Sequence, residues 1–171
     1  MKKLLFTLLF MLAGVPAAFA QTDEAKAFAQ KIADDIMERV VKIKAPDSVK
    51  EQNFNAIFTQ AADLKKIARF TLGRFAKTAS EQDFQAYTTA FTDNIVDTWT
   101  QRFASYAGEK IVFTDARQEN GKDVYVHSDL LMADGVNKIE IVWRVSMKKG
   151  KTHLVDLVVE GVSMILSYRH E

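Results

Sequence analysis

The 171-residue chain contains no cysteine, which excludes disulfide bonds, thiolate metal sites and cysteine nucleophiles. Histidine is scarce as well: His127, His153 and His170 are not closely spaced, which argues against a histidine-rich zinc site. Neither sign of charge is in excess, because 23 basic residues stand against 22 acidic ones. Nucleic-acid-binding domains are usually strongly basic, so we expect no nucleic-acid partner.

The sequence also lacks the short motifs of common enzyme classes. It has no Gly-x-Ser-x-Gly, no P-loop, no His-Glu-x-x-His and no dinucleotide fingerprint. Ser163, which follows Gly161-Val162, is the best remaining nucleophile, but the pattern around it favours a strand end followed by a short helix. We therefore expect no enzymatic activity, no metal site and no cofactor.

The long apolar run of this chain lies at its N-terminus. Lys2-Lys3 precede an apolar run from Leu4 to Leu12, and Ala18-Phe19-Ala20 places small residues where signal peptidase reads. The run is too short to span a bilayer comfortably. We expect residues 1–20 to be a cleaved signal peptide, with an uncleaved anchor as the alternative. Residues 21–171 then form a single domain of net charge about −1, exported to a bacterial periplasm.

Apolar residues at helical spacing predict two helical regions after the leader. The first runs from about Asp23 to Ile43, with Thr22 as its N-cap and Pro46 beyond its end. The second runs from about Val49 to Gly73, and Asp63 offers a point where the helix restarts.

A third helix has the clearest pattern. Ser80 is the predicted N-cap, Asp83 completes a capping-box-like pattern, and Gly108 ends the helix. One face forms an aromatic-rich stripe of Phe84, Tyr87, Phe91, Ile95, Trp99, Phe103 and Tyr106.

After Gly108 the apolar period changes from about four to two, which predicts strands. Turns at Asn120-Gly121, Asp134-Gly135 and Lys149-Gly150 divide this segment into four strands of an antiparallel meander. In the fourth strand the alternation places His153, Val155, Leu157 and Val159 on one face. Helices followed by strands define an α+β fold. We expect the aromatic third helix to pack on the four-stranded sheet, with an apolar pocket between them.

Charged residues in the last two strands allow two interpretations. Asp156 and Glu160 lie on one strand face beside Arg144 of the neighbouring strand. A cross-strand salt-bridge set is favoured over an acid pair in an active site.

Three segments resemble the MlaC family, also called toluene-tolerance or ABC-transporter auxiliary proteins. Asp63 to Phe75 is similar to the family's leucine-glycine-arginine-aromatic segment, and Ser80 to Lys110 is similar to the helix that follows it. Val155 to Arg169 resembles its run of aspartate, glutamate-glycine-valine-serine and asparagine-tyrosine-arginine. Together the resemblance covers roughly two-thirds of the chain.

The resemblance implies a periplasmic phospholipid-binding shuttle of an Mla-type ABC transport system that maintains outer-membrane lipid asymmetry. Its implied partners are the phospholipid cargo, an MlaD-like component of an inner-membrane transporter and an MlaA–porin-like outer-membrane complex. The shuttle itself is expected to be a monomer that carries phospholipid as cargo and has no resident cofactor. The alternative is a small-ligand binder or enzyme on a similar α+β cone, which would need inward-facing acids, tyrosines or histidines.

In such a carrier the acyl chains lie in the apolar pocket. Each buried methylene contributes about 0.8 kcal/mol, so two chains of about fifteen methylenes oppose free diffusion by on the order of 20 kcal/mol. The residues inferred to line this pocket are Phe70, Phe75, Phe84, Tyr87, Phe91, Ile95, Trp99, Phe103, Val124, Val126, Ile141, Trp143, Val145, Leu157, Val159, Val162, Ile165 and Leu166.

Overall fold

The computed structural model describes residues 17–119, 123–148 and 150–170. Most of the expected signal peptide (residues 1–16), the expected Asn120-Gly121 turn and Lys149 therefore lie outside the described residues. The helical elements that precede the sheet are α1 (Ala17–Ile36), a π-helical turn (Met37–Val41), α2 (Asp47–Ala61), α3 (Leu64–Thr71), a 3₁₀ segment (Gly73–Lys77) and α4 (Glu81–Phe103). The strands and the last helix are β1 (Lys110–Glu119), β2 (Asp123–Leu131), β3 (Lys138–Lys148), β4 (Lys151–Val159), β5 (Val162–Ser163) and α5 (Met164–His170). Within the described ranges, no helix combines the length and the apolar character needed to cross a membrane.

The first predicted helix differs from the observed one at both ends. The prediction of Thr22 as an N-cap is wrong for this structure, because α1 already begins at Ala17 and continues through Thr22 without a break. Alanine has the highest helix propensity, and the segment that precedes Thr22 is rich in it. The regular helix ends at Ile36, and a π-helical turn continues the chain to Val41.

The predicted helix restart at Asp63 and the predicted N-cap at Ser80 are both confirmed. Asp63 interrupts the second helical region because its carboxylate accepts a hydrogen bond from the backbone N–H of Lys66, 3.2 Å away. The Oγ of Ser80 accepts from the N–H of Asp83 at 3.1 Å and starts α4 in the same way. Each cap satisfies a backbone donor that the first helical turn leaves free.

The sheet has five antiparallel strands in the order β1-β2-β3-β4-β5, one more than the four predicted. The additional strand, β5, has only two residues and pairs with the end of β4. Glu160 and Gly161 connect the two strands with φ angles of 49° and 77°. Two central residues with positive φ form a tight hairpin turn, which glycine adopts without strain. The α+β class is confirmed and the strand count is corrected.

An irregularity between β3 and β4 changes the predicted alternation. Arg144 pairs with Asp156 while the next residue, Val145, pairs with Leu154, so Val155 is an extra residue in β4. Because side chains alternate with a period of two, one extra residue moves the preceding positions to the opposite face. Leu154 therefore shares a face with Leu157 and Val159, and the predicted placement of His153 on that face is wrong.

The helix that covers the sheet is α1. Ala25 and Ala29 are completely buried and Ala33 nearly so, and small side chains spaced by four let this helix approach β1, β2 and β3 closely. The aromatic helix α4 packs on α2 and α3 instead. Bulky side chains such as Trp99 and Phe103 stand between α4 and the sheet, and residues of both elements line the expected apolar pocket between them. The space so created is the cavity described below.

Candidate functional site

The helices and the sheet enclose a cavity of about 450 Å³. Small-molecule sites commonly span about 300–1,000 Å³ and are lined mainly by apolar side chains. Twenty of the 24 residues that line this cavity are apolar. The cavity therefore fits an apolar ligand better than a polar one.

Every layer of the fold contributes to the cavity wall. The first two helices and the π-helical turn contribute Ile32, Ala33, Ile36, Met37, Val41, Phe54, Ile57, Phe58 and Ala61. The aromatic helix and the loop after it contribute Ile95, Trp99, Arg102, Phe103, Ser105, Tyr106 and Glu109. The sheet contributes Ile111, Leu130, Ile139, Ile141, Trp143, Leu154, Leu157 and Val159.

Aromatic contacts stiffen the helical wall. The rings of Phe54 and Phe103 meet edge to face with centroids 5.3 Å apart, which ties α2 to the end of α4. Trp99 lies 6.0 Å from the same Phe103 ring. Such ring pairs contribute about 0.5–1.5 kcal/mol beyond their buried area. The wall is therefore held in place by contacts among its own residues.

Trp143 provides the largest side chain on the sheet side of the cavity. Its indole N–H donates to the Oγ of Ser128 at 2.9 Å, and this hydroxyl donates to the carbonyl of Ile141 at 3.1 Å. Both Trp143 and Ser128 are buried. Because the indole N–H already has its partner, the ring can meet an apolar ligand without leaving a buried donor unpaired.

The polar lining residues are confined to one end of the cavity. They are Arg102, Ser105, Tyr106 and Glu109, and all four lie within the stretch 102–109 at the end of α4 and in the loop to β1. Arg102 and Ser105 are the only exposed members of the lining set. The cavity therefore reaches solvent at this end, which we call the polar rim.

The structure brings seven of the 18 predicted site residues to the cavity wall. They are Ile95, Trp99, Phe103, Ile141, Trp143, Leu157 and Val159. Their part in lipid binding stays a prediction. The other eleven lie in three places away from the cavity.

Three of the eleven belong to the solid core of the sheet. Val124, Val126 and Val145 are at most 1% exposed and pack under α1. They share the inner face with Trp143, but the alanines of α1 approach the sheet too closely at this point to leave a space. The sequence pattern identified the correct face without showing where along the strands the cavity ends.

Three more lie on the N-terminal half of α4. Phe84 is buried beneath the guanidinium of Arg69, which lies 5.0 Å from the ring centroid. Tyr87 donates its hydroxyl proton to Thr71 at 2.9 Å, and Phe91 meets the Tyr168 ring edge to face. A helix of 23 residues is about 34 Å long, so one continuous stripe meets different partners along its length.

The last five lie on α3, the 3₁₀ segment, β5 and α5. They are Phe70, Phe75, Val162, Ile165 and Leu166. Phe75 is 56% exposed and is overlaid by the guanidinium of Arg74, and Phe70 is overlaid in the same way by Arg169. These five positions form part of a surface outside the cavity. Their side chains are apolar, but neighbouring elements do not cover them as the sequence pattern suggested.

Seventeen lining residues were not predicted. Nine of them come from α1, the π-helical turn and α2, whose apolar stripes include Ile32, Ile36, Phe54 and Ile57. The helical spacing of these residues was visible in the sequence as a sign of core packing. Nothing in that spacing distinguishes a residue that faces a cavity from one that faces a filled core.

The predicted salt-bridge set has a different membership. Arg144 binds the carboxylate of Asp123 on β2 through Nε at 2.9 Å and Nη2 at 2.7 Å. Burial alone raises the pKa of Asp123, but the hydrogen bonds and charge of Arg144 outweigh this effect and hold it below the usual range. Glu160 instead accepts a hydrogen bond from the backbone N–H of Glu140 at 2.7 Å.

Asp156 and Ser163 form a structural contact at the start of α5. The Ser163 hydroxyl donates to Asp156 at 2.6 Å, and its Oγ accepts from the N–H of Leu166 at 3.2 Å. The second Asp156 oxygen accepts from the N–H of Ile165. These contacts satisfy donors of the first turn of α5, as helix caps do. Among the described residues there is no group of three or more acids or histidines that could hold a metal ion.

Comparison with known proteins places this chain in one family. The family model described as "MlaC protein" matches residues 26–171. The chain belongs to the MlaC family, which confirms the resemblance seen in its sequence. A solved structure of the phospholipid-binding protein from Ralstonia solanacearum, in complex with a phospholipid, has the same fold. The two chains are 18% identical with a TM-score of 0.75, and the match covers 85% of this chain and 83% of that one.

Proposed function

We propose that this protein is a phospholipid carrier of an Mla-type transport system. The observation that carries the proposal is the cavity of about 450 Å³, apolar at twenty of its 24 lining positions and open at one polar rim. Acyl chains would occupy the apolar part, and the headgroup would remain at the rim in contact with water. Family membership and the similar fold of a phospholipid-binding protein support the same cargo.

The energetics of lipid transfer favour such a carrier. Each methylene moved from an apolar phase to water costs about 0.8 kcal/mol, so a free lipid leaves a bilayer slowly. A carrier that shields the chains removes most of this cost and needs no positioned nucleophile. We therefore propose that the protein binds and releases its cargo without chemical change and without a resident cofactor.

The remaining parts of the proposal concern place and partners. We propose that residues 1–20 direct export and are cleaved, and that the carrier works as a monomer in the periplasm. It would exchange phospholipid between an MlaA–porin-like outer-membrane complex and an MlaD-like component of an inner-membrane ABC transporter. Such exchange would maintain the lipid asymmetry of the outer membrane. The family resemblance supports these partners.

The alternative of an enzyme or polar-ligand binder on the same fold has less support. Such a site would present inward-facing acids, tyrosines or histidines, and the lining set contains no histidine and one tyrosine, Tyr106 of the rim. Its one carboxylate is Glu109, which lies at the rim and not within the apolar part.

Native mass spectrometry of the mature protein, purified from a bacterial host, tests the proposal. We expect adducts with phospholipid masses, and intact phospholipid after solvent extraction. Delipidated protein should take up phospholipid again from liposomes. Protein that is lipid-free as purified and that also fails to load from liposomes would refute the carrier function.

A further inference from the structure

The four polar residues of the rim differ in whether their polar groups are already occupied. Ser105 donates its hydroxyl proton to the carbonyl of Arg102 at 2.7 Å. Tyr106 donates its own to the carbonyl of Glu109 at 2.9 Å. These two hydroxyl groups therefore donate to carbonyls within the loop itself. The other two polar residues of the rim, Arg102 and Glu109, are charged.

The guanidinium of Arg102 has no carboxylate within 4.0 Å in the part of the chain that the structure describes. It lies over the ring of Trp99, 5.0 Å from the centroid, and both side chains line the cavity. A guanidinium stacked on an aromatic ring keeps its planar fork of N–H donors, which matches the geometry of a phosphate group. Arg102 is therefore a positioned cation at the mouth of an apolar cavity.

The carboxylate of Glu109 has no basic side chain within the same distance among the described residues. One of its oxygens accepts from the backbone N–H of Ala107 at 2.8 Å. Hydrogen bonds from its own backbone and from Ala107 lower the pKa of Glu109, so the group is ionised at neutral pH. The rim therefore contains one anion and one cation, and the two are not paired with each other.

The charge balance of the rim suits a dipolar ligand. Arg102 and Glu109 cancel formally, and the C-terminal end of α4 adds a partial negative charge of roughly half an elementary charge. The lining residues by themselves therefore present no net positive charge to an anionic ligand. A ligand with one negative and one positive group can satisfy both side chains at once.

We propose that the polar rim is a headgroup site for zwitterionic phospholipids that carry a primary ammonium group. Arg102 donates hydrogen bonds to the phosphate oxygens, and Glu109 accepts from the ammonium. The inference rests on the proposed carrier function and adds a substrate preference to it. The cavity sets the apolar fit, and the rim distinguishes headgroups.

A competition experiment tests this preference. Delipidated mature protein is incubated with vesicles that contain equal amounts of phosphatidylethanolamine and phosphatidylglycerol, and the bound lipids are counted by native mass spectrometry. The wild type should load the ethanolamine lipid in excess. Glu109→Gln should lower the ratio of ethanolamine to glycerol lipid about threefold to fivefold, as expected for an exposed charge contact.

Arg102→Gln should weaken the binding of both lipids by about tenfold, because both have the phosphate that it contacts. Two variants serve as matched controls. Arg74→Gln removes another guanidinium that overlies an aromatic ring, and Glu119→Gln removes an exposed carboxylate of β1. Neither lies at the cavity, so both should retain wild-type loading and lipid ratio.

The outcomes separate the two proposals. A wild type that takes up neither lipid would refute the carrier function itself. A wild type that loads lipid without preferring the ethanolamine headgroup would overturn the headgroup site and leave the carrier function standing. An unchanged ratio in folded Glu109→Gln, or unchanged affinity in folded Arg102→Gln, would overturn it as well.

Discussion

An aspartate introduced into the cavity wall should weaken phospholipid binding strongly without unfolding the protein. Leu157 lines the cavity, whereas Val158, the next residue of β4, points to the other face of the sheet because side chains alternate. Both positions are half-buried. Leu157→Asp and Val158→Asp therefore introduce the same group into the same strand, and only one of them meets the acyl chains.

The expected loss of affinity can be estimated from the protonation of the new carboxyl group. An aspartate with an ordinary pKa of about 3.9 costs roughly 4 kcal/mol to protonate at pH 7, at about 1.36 kcal/mol per pKa unit. This value is an upper limit, because a carboxylate that cannot be solvated beside the lipid takes up a proton instead. Leu157→Asp should thus bind phospholipid up to about a thousandfold more weakly than the wild type.

Titration of delipidated protein with a fluorescent phospholipid, repeated between pH 7 and pH 4.5, measures this effect. The affinity of Leu157→Asp should recover as the pH falls, because protonation then costs less. Leu157→Asn should show a smaller loss and no such recovery, and circular dichroism should confirm that each variant is folded. Equal losses in Leu157→Asp and Val158→Asp, or a loss that does not depend on pH, would refute the placement of the lipid in this cavity.

Three further predictions concern residues outside the cavity. Arg144→Met should lower the free energy of unfolding at pH 7 by about 2 kcal/mol, because it leaves Asp123 without its partner. Because the pKa of Asp123 is lowered in the folded protein, its ionised form stabilises the fold above about pH 4. The difference in free energy of unfolding between wild type and Arg144→Met, measured by chemical denaturation, should therefore shrink as the pH falls below this value. Ser163→Ala should lower the free energy of unfolding by about 1 kcal/mol because a helix cap is lost. Bound phospholipid should stay intact in this variant after prolonged incubation. Ser163-dependent release of fatty acid would instead indicate an esterase. Gly73→Ala should destabilise by about 1–2 kcal/mol in thermal unfolding, since Gly73 has a φ of 60°, which strains any residue with a Cβ. An unchanged melting temperature would show that this backbone conformation is not needed.

Local signals in the sequence were sufficient for most of the secondary structure. The hydroxyl of Ser80 and the carboxylate of Asp63 cap their helices through contacts three residues away, so local spacing predicted the cap at Ser80 and the helix restart at Asp63. The strands followed from alternation, which depends only on neighbours along the chain. The two-residue β5 was missed because a strand of this length shows no periodicity.

The position of the cavity could not be predicted from the sequence, because it depends on distances between elements that local residue patterns do not indicate. The alternating residues of β2 and β3 predicted one apolar face, but small alanines on α1 fill part of it and bulky aromatics on α4 leave the rest open. The extra residue Val155 moved Leu154 into the cavity wall, and this depends on the pairing of two strands. The sequence by itself determined the α+β class, the family and the apolar faces, because each of these follows from residue type and spacing along the chain. The tertiary structure decided which faces meet, where they stay apart and which polar residues lie at the opening, because these depend on how closely the side chains of different elements can approach.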